Sequence, residues 1–427
     1  MNNKRIFLLA IWTLAIVFSS CQKDPEENKT RDITRAFFGD KKNNAVIAVD
    51  VEDFKKVTSI PTGHEITYTA DRVGSTGKVY AVNRGSDAID VIDCNTLELI
   101  KTIALPHHPR SAESINKMLG LVAVTGMDKP MVSIIDMKTD EVVATVGTDE
   151  VTFPVTHNHT GSHACGHPFW LDSHHFILPD RGNLKLSTYF IAKSNGQWQT
   201  VLLNTIDTPS PVHQIIPSKG NYQGPSNLFY ASAEGITSEG ANNVYPSVLE
   251  LKFTPHQGLE IVREAVFNSG GAALEDMGSH HGDFHPFEKL IYVGSKEGNI
   301  FVVNYETMTV QSIIPAGKGI GHVKMIKSKK LAIAINHKDV FVTIIDLATN
   351  TKIKDVAVSD KIDLVDQTTI QAHPKYFVSK DGNHFYSFVT ADGVFYELDL
   401  NTLEVSRKLD VGGQPAQGSF VSMTVDN

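Results

Sequence analysis

Short runs of alternating apolar and polar residues recur along the chain from about residue 36 to residue 425. The clearest run covers residues 79–93 and 95–103. It reads as a strand, a turn, a second strand ending in Asp93, a tight turn at Asn95-Thr96 and a third strand. Related units begin near residues 36, 121, 175, 228, 290, 331 and 384. The pattern predicts eight three-strand units with no helix between them.

One further strand is predicted between consecutive units, for example at residues 66–70, 169–171, 323–326 and 376–379. Four strands per repeat, arranged radially, are typical of an all-β fold, the β-propeller of four-stranded blades. Eight blades are favoured, and seven remain the alternative because the units near His175 and Leu228 carry insertions. The first unit lacks its innermost strand, which residues 418–425 would supply. We therefore expect one domain, residues 35–427, closed by pairing of the N- and C-terminal strands.

The first residues predict export. Lys4 and Arg5 precede an apolar run, residues 6–18, and then Ser19-Ser20-Cys21. This is the pattern of a secretory signal peptide, here residues 1–20, and the run is shorter than the about 20 residues that span a bilayer. Small residues before Cys21 resemble the lipobox of lipoproteins, although Phe18 stands where Leu is usual. The resemblance implies cleavage before Cys21 and lipidation of its thiol.

Residues 21–34 are predicted to form a flexible tether. Its segment QKDPEE, residues 22–27, resembles the signal by which some Gram-negative bacteria display lipoproteins on the outer face of the outer membrane. We therefore expect an outer-membrane lipoprotein of the cell envelope, anchored through its lipid. Whether it lies on the cell surface or faces the periplasm stays open at this point.

The net charge restricts the class of binding partner, and the cysteine content indicates whether disulfides form. The formal net charge is −9 and the isoelectric point about 6.0, which argues against nucleic acid as a partner. Besides Cys21 the chain has only Cys94 and Cys165, which fall in different repeats, so no disulfide is expected. A monomer is expected.

The 18 histidines are not scattered evenly. Seven of the eight repeats carry histidine in the loop that enters the predicted innermost strand, and the eighth has Gln414 in that register. Equivalent positions of a radial fold converge on the axis, and neutral imidazole binds zinc, copper and nickel. The predicted metal ligands at one end of the channel are His64, His108, His163, Cys165, His167, His213, His281, Asp283, His285, His322 and His373.

Two clusters of residues give the strongest support for a metal site. Asp283 lies between His281 and His285, where a carboxylate could ligate or orient an imidazole, and the Cys165 thiol would favour zinc or copper. At least three ring nitrogens should approach to roughly 4 Å of one another, given zinc–nitrogen bonds of about 2.0–2.1 Å. The alternative is that histidine serves the turn, since His-Pro recurs at these loops.

Seven further histidines are given other roles. His157 and His159 are interpreted as part of a loop that delivers metal. A structural or solvated role is expected for His174, His175, His256, His337 and His384.

The Val-Ile-Asp-x-x-Thr signature of these units resembles the surface-layer-type propellers with Tyr-Val-Thr-Asn (YVTN) repeats. The histidine-lined channel is similar to two groups: the propeller of nitrous oxide reductases, which holds a copper–sulfide cluster, and the secreted zinc chaperones that feed ABC-type uptake systems. The reductases' Cys-rich copper motif does not occur in this sequence, which argues against nitrous oxide reduction.

The leading hypothesis is a lipoprotein that captures zinc or copper or delivers it to a metal-transport partner. One alternative is a scaffold for interaction or adhesion. The other is a metal-assisted lactonase or lyase, for which Arg110, Glu113, Glu275, Asp276 and Asp283 are the available charged groups near the channel mouth. No nucleophile motif and no phosphate-binding loop occurs, so a binding protein is favoured over an enzyme.

Overall fold

The computed structural model describes residues 30–426 except for residues 75, 151–162, 237–242, 269–276 and 362–369. Outside the described residues lie the signal peptide, Cys21 with most of the tether, His157, His159, Glu275 and Asp276. The described residues form 32 β-strands and one 3-10 turn, Lys327–Lys329. No helix in this part of the chain has the length and apolar character that crossing a membrane requires.

The strands form eight four-stranded antiparallel sheets, the eight blades of a β-propeller, as predicted. Blade 1 contains β1 (Thr30–Asp40), β2 (Ala45–Asp50) and β3 (Lys55–Pro61). Blade 2 contains β4 (Thr67–Arg72), β5 (Lys78–Asn83), β6 (Ala88–Asp93) and β7 (Leu99–Ala104). Blade 3 contains β8 (Pro109–Asn116), β9 (Leu121–Gly126), β10 (Met131–Asp136) and β11 (Glu141–Gly147). Blade 4 contains β12 (Phe169–Trp170), β13 (His175–Asp180), β14 (Lys185–Ser194) and β15 (Gln197–Asp207).

The second half of the ring follows the same plan. Blade 5 contains β16 (Val212–Ile215), β17 (Leu228–Ala233), β18 (Ser247–Thr254) and β19 (Gly258–Val266). Blade 6 contains β20 (Ser279–Phe284), β21 (Leu290–Ser295), β22 (Asn299–Asn304) and β23 (Thr309–Pro315). Blade 7 contains β24 (Ile320–Ile326), β25 (Leu331–Asn336), β26 (Phe341–Asp346) and β27 (Thr351–Ala357). Blade 8 contains β28 (Phe377–Val378), β29 (His384–Val389), β30 (Val394–Asp399) and β31 (Glu404–Asp410).

The C-terminal strand β32 (Pro415–Asp426) completes blade 1 and closes the ring. It pairs antiparallel with β1, from Thr30 opposite Asp426 to Asp40 opposite Pro415. The predicted pairing of the two terminal strands is therefore confirmed. Strand β1 begins at Thr30, within the range predicted to form the tether, so the predicted tether is too long at its C-terminal end.

The repeated Asp-x-x-Thr element has a local structural cause. The Asp93 carboxylate accepts hydrogen bonds from the backbone N–H groups of Asn95 and Thr96, at 2.8 and 2.9 Å. The chain then turns through Leu97 in the left-handed region, at φ 62°. The same caps recur at Asn304 and Asp399. Side-chain caps of this kind favour tight turns, and here they join the two outer strands of a blade.

Apolar side chains pack between adjacent blades and hold the innermost strands around the axis. Between blades 1 and 8, for example, the rings of Phe38 and Phe388 have centroids 4.6 Å apart. The innermost strands are β32, β4, β8, β12, β16, β20, β24 and β28, and the loops that enter them lie at one end of the channel. Residues at the starts of these strands are therefore the ones that meet across the axis.

Candidate metal centre

Five consecutive blades bring histidines to one mouth of the central channel. They are His167 before β12, His213 on β16, His280 and His281 on β20, His322 on β24 and His373 before β28. All but His373 are at most 7% exposed, and His373 is half-buried. The rings form a continuous cluster, with centroids 4.0 Å apart for His213 and His280 and 4.1 Å apart for His281 and His322.

Within the cluster, three groups of three histidines each place one ring nitrogen per residue within 4.8 Å of the other two. They are His167–His213–His281, His280–His337–His373 and His281–His322–His373. His281 and His373 each belong to two groups. This spacing lets one metal ion contact three imidazoles after small side-chain movements, since zinc–nitrogen bonds are about 2.0–2.1 Å long.

In the first group, an oxygen acceptor faces each Nδ1. The His213 Nδ1 lies 2.6 Å from Glu234 Oε1, and the His167 Nδ1 lies 2.9 Å from Glu113 Oε1. The His281 Nδ1 contacts the amide oxygen of Gln214. The oxygens of Glu234 and Gln214 form hydrogen bonds with the ring nitrogens, and the Glu113 carboxylate lies close to the third ring. Oxygens in these positions favour the proton on Nδ1, which leaves Nε2 for a metal. This is the usual support of a metal-binding histidine.

Glu234 is itself fixed in place. It is fully buried, and both of its carboxylate oxygens accept hydrogen bonds from the Arg181 guanidinium, at 2.8 and 2.6 Å. The paired arrangement stabilises the ionised carboxylate, which in turn orients the His213 ring.

Two glycines permit the close approach of these histidines. A Cβ at Gly166 would lie 2.5 Å from the Val212 carbonyl oxygen, so only glycine lets this segment reach β16, where the His167 N–H donates to the His213 carbonyl at 2.8 Å. A Cβ at Gly321 would overlap the His337 ring. The Gly321 carbonyl also faces the His280 Nδ1, at 2.8 Å.

Burial keeps the imidazoles neutral. It lowers the pKa of His167 to about 4, with a smaller contribution from Arg110. Burial also holds the pKa values of His213, His281, His322 and His373 well below the usual range, and neighbouring cations and imidazoles add to this effect. Unprotonated imidazole is the form that binds metals.

In the histidine cluster, the described ring nitrogens without a hydrogen-bond partner include two on neighbouring blades. No described residue bonds to the Nε2 atoms of His281 and His322. Unsatisfied buried polar atoms are uncommon in proteins, and each costs about 1–3 kcal/mol. A metal ion coordinated by these nitrogens would remove that cost.

The structure does not bring His64 or His108 into the cluster. In blade 2, the His64 Nδ1 lies 2.8 Å from Asp90 Oδ2. The His108 Nδ1 lies 2.7 Å from Asp87 Oδ1, and these two residues form a separate, more exposed group with Asp128. The local carboxylates direct these two side chains away from the imidazoles of blades 4–8.

His163 and Cys165 also stand apart from the three groups. The Cys165 thiol is fully buried and faces the carbonyl oxygens of Lys129 and Met131, and burial raises its pKa to about 12. A thiol in this state is a poor metal ligand, because metals bind the thiolate. The pKa of His163 is held well below its usual range by burial and by Arg110, and no group includes its ring.

Asp283 and His285 have other partners as well. The Asp283 carboxylate accepts a hydrogen bond from the Lys219 ammonium at 2.9 Å. The His285 Nδ1 accepts from the backbone N–H groups of Phe287 and Glu288, at 3.2 and 2.9 Å, and its Nε2 faces the Leu347 carbonyl at 3.0 Å. At His285, therefore, the imidazole supports the turn, which was the alternative considered for His-Pro.

His280 and His337 join the cluster, although neither is among the ligands that the sequence predicts. His337 follows β25, and because β25 runs antiparallel to β24, its end lies beside the entry to β24. That antiparallel register was the available signal. In β20 the pairing with β21 shifts between Ser279 and Gly282, and the rings of His280 and His281 lie 4.3 Å apart. An irregular register of this kind leaves no trace in the sequence pattern.

These observations define an eight-bladed β-propeller with a buried histidine cluster at one channel mouth. No protein-family model matches the sequence, and no curated protein matches it either. Among solved structures, AztD from Citrobacter koseri is similar, with a TM-score of 0.61 and 13% identity over 93% of this chain and 100% of that chain.

Two further solved structures share the architecture. The dihydro-heme d1 dehydrogenase NirN, in complex with DHE, has a TM-score of 0.63 and 11% identity over 91% of this chain and 74% of that one. A Lactobacillus plantarum protein has a TM-score of 0.55 and 11% identity over 92% of this chain and 100% of that one. At such identities these likenesses show the propeller fold.

Proposed function

We propose that this protein is a metal-binding propeller of the cell envelope that holds a transition-metal ion, zinc in the first place, on the histidines at the channel mouth. The observation that carries the proposal is the group His167–His213–His281, in which three buried imidazoles face one another while Glu113, Glu234 and Gln214 face their Nδ1 atoms. Three oriented neutral imidazoles are a common zinc-binding set.

Zinc and copper both suit an all-imidazole site, and the hard cations magnesium and calcium do not, because they prefer oxygen ligands. The resemblance of the histidine-lined channel to secreted zinc chaperones favours zinc. Metal coordination would also satisfy the His281 and His322 Nε2 atoms.

Overlap between the groups favours capture and delivery over permanent storage. Overlapping groups share one imidazole, His281 in one case and His373 in the other, so an ion could pass along the cluster while the shared ligand stays bound. A metal-transport protein that docks at this mouth would receive the ion.

Zinc titration of the metal-free protein, in competition with a chromophoric chelator, tests the proposal. The double variant His280→Ala with His281→Ala should lower zinc affinity at least a hundredfold, because it removes a ligand from each of the three groups. The matched control is His256→Asn, since His256 is exposed in a left-handed turn, at φ 68°, which asparagine tolerates. Equal zinc affinity in the wild type and the double variant would refute the site.

The envelope anchor is a separate part of the proposal. The signal-peptide pattern and the small residues before Cys21 support lipidation of Cys21. Cells supplied with labelled palmitate should incorporate label into the wild-type protein and into the control Cys94→Ser, and none into Cys21→Ser. Protease treatment of intact cells then distinguishes surface display from a periplasm-facing position. Label retained in Cys21→Ser would contradict the anchor.

A further inference from the structure

A cavity of about 390 Å³ opens beside the histidine cluster, on the channel side of blades 3–8. His281 and His322 line it together with apolar side chains, among them Trp170, Val323 and Tyr376. Its volume is within the range of about 300–1,000 Å³ that small-molecule sites occupy. The wall is mixed, with apolar side chains beside histidines, lysines and a carboxylate.

Three lysines reach this cavity, and two of them are paired. The Lys219 ammonium donates to Asp283 Oδ2 at 2.9 Å, and the Lys375 ammonium forms an ion pair with Glu113. Asp71, which lies behind Glu113, accepts hydrogen bonds from Thr69 and the Ala112 N–H and does not line the cavity.

Lys324 is the third lysine, and it has no such partner. It extends from β24, two residues after His322, and is only 7% exposed. Its ammonium lies 5.3 Å from the centroid of the Tyr376 ring, and no described residue accepts a hydrogen bond from it or forms an ion pair with it. An ammonium group buried without a hydrogen-bond acceptor is costly, because burial removes the solvation of the charge, and the nearby Lys219 and Lys375 repel it further.

Basic side chains outnumber acidic ones on the wall of the cavity. Lys219, Lys324 and Lys375 line it, and Glu113 is the one carboxylate among its described lining residues; Asp283, the partner of Lys219, does not line it. A ligand with one anionic group would supply the partner that Lys324 lacks. The apolar wall around Trp170 and Tyr376 suits an organic body better than a small inorganic ion.

We propose that this cavity binds a small organic monocarboxylate, whose carboxylate pairs with the Lys324 ammonium and whose apolar body packs against Trp170 and Tyr376. A charge-assisted hydrogen bond to the carboxylate replaces the solvation that Lys324 loses on burial. The ligand lies beside His281 and His322, so the site adjoins the histidine cluster but does not depend on a bound metal.

Calorimetric titration of the metal-free protein with benzoate and with its uncharged counterpart benzamide tests the proposal. Benzoate should bind at least tenfold more tightly than benzamide. Lys324→Met, which keeps the length and apolar stem of the side chain, should remove this preference, and Lys324→Arg should retain it. The matched control, Lys252→Met, alters a lysine that pairs with Glu260 on the outer face of blade 5 and should bind like the wild type.

Equal binding of benzoate and benzamide by the wild-type protein would overturn the proposal. So would a benzoate preference that survives in Lys324→Met. Thermal melting of each variant verifies that it folds, and the comparison of the two ligands on the wild type decides the matter even if Lys324→Met does not fold. Because no metal is present, failure here would leave the zinc proposal untouched.

Discussion

Acidification should weaken the fold of the metal-free protein through its buried histidines. His167 has a pKa of about 4 in the folded protein, lowered first by burial, whereas histidine in an unfolded chain titrates near about 6.5. Between these values the unfolded chain binds a proton that the folded protein does not. The free energy of unfolding therefore falls as the pH decreases from about 6.5 to about 4.

The magnitude follows from the size of the shift. A difference of about 2.5 pKa units corresponds to about 3 kcal/mol for His167 alone, at about 1.4 kcal/mol per unit. The pKa values of His213, His281, His322 and His373 are lowered for the same reason and add to the effect. For a domain whose total stability is about 5–15 kcal/mol, this loss is large.

Carboxylates titrate in the same range, so a variant is needed to isolate one histidine. His167→Asn removes the titrating ring and keeps an N–H donor near Glu113. Urea unfolding in the presence of chelator, repeated at intervals between pH 7.5 and pH 4, should give a shallower loss of stability for His167→Asn than for the wild type, by about 3 kcal/mol over the range. His256→Asn, on the surface, should follow the wild type.

Superimposable pH profiles for the wild type and His167→Asn would refute the reasoning, because they would mean that His167 is not buried as a neutral imidazole. A profile that becomes steeper in the variant would refute it as well.

Two further predictions concern the fold. Deleting residues 418–427 removes most of β32 and exposes the edge of β1, so it should abolish most of the free energy of unfolding, about 5–15 kcal/mol for domains; a deletion variant that melts like the full chain would contradict ring closure. His285→Ala leaves the N–H groups of Phe287 and Glu288 and the Leu347 carbonyl without their partner, so it should cost about 3 kcal/mol in urea unfolding and leave zinc affinity unchanged. Lost zinc affinity with intact stability would reverse that assignment.

The propeller fold can be predicted from the sequence because each blade repeats the same local pattern of strands and turns. Alternating apolar residues, an Asx-capped turn such as that at Asp93 and a following left-handed residue recur at regular intervals. The missing innermost strand of the first unit also predicted the pairing of β32 with β1. Local chemistry thus determines both the blades and their closure.

The candidate metal site can be predicted from the sequence only in part. Position within the repeat predicted that histidines would meet at one mouth, and those of blades 4–8 do so. The position of a histidine within its repeat does not predict the direction of its side chain, because that direction depends on neighbours that are distant in the sequence. The carboxylates of Asp90 and Asp87 contact the rings of His64 and His108 outside the cluster. The Leu347 carbonyl of blade 7 contacts the His285 ring.

The supporting oxygens were harder to predict. Glu234 and Gln214 lie on or directly after strands of blade 5 and carry no motif that marks them. Their role depends on the approach of blades 4, 5 and 6 around the axis, through contacts such as that of Gln214 with His281. Only the assembled ring reveals such contacts.

The most direct test of the central claim is the X-ray absorption spectrum at the zinc edge of protein loaded with one equivalent of zinc. We predict a first shell containing three imidazole nitrogens at about 2.0–2.1 Å and no sulfur at about 2.3 Å, because Cys165 faces backbone carbonyls away from the cluster. A first shell of oxygen alone, or one that contains sulfur, would contradict a zinc ion held by the histidines at the channel mouth.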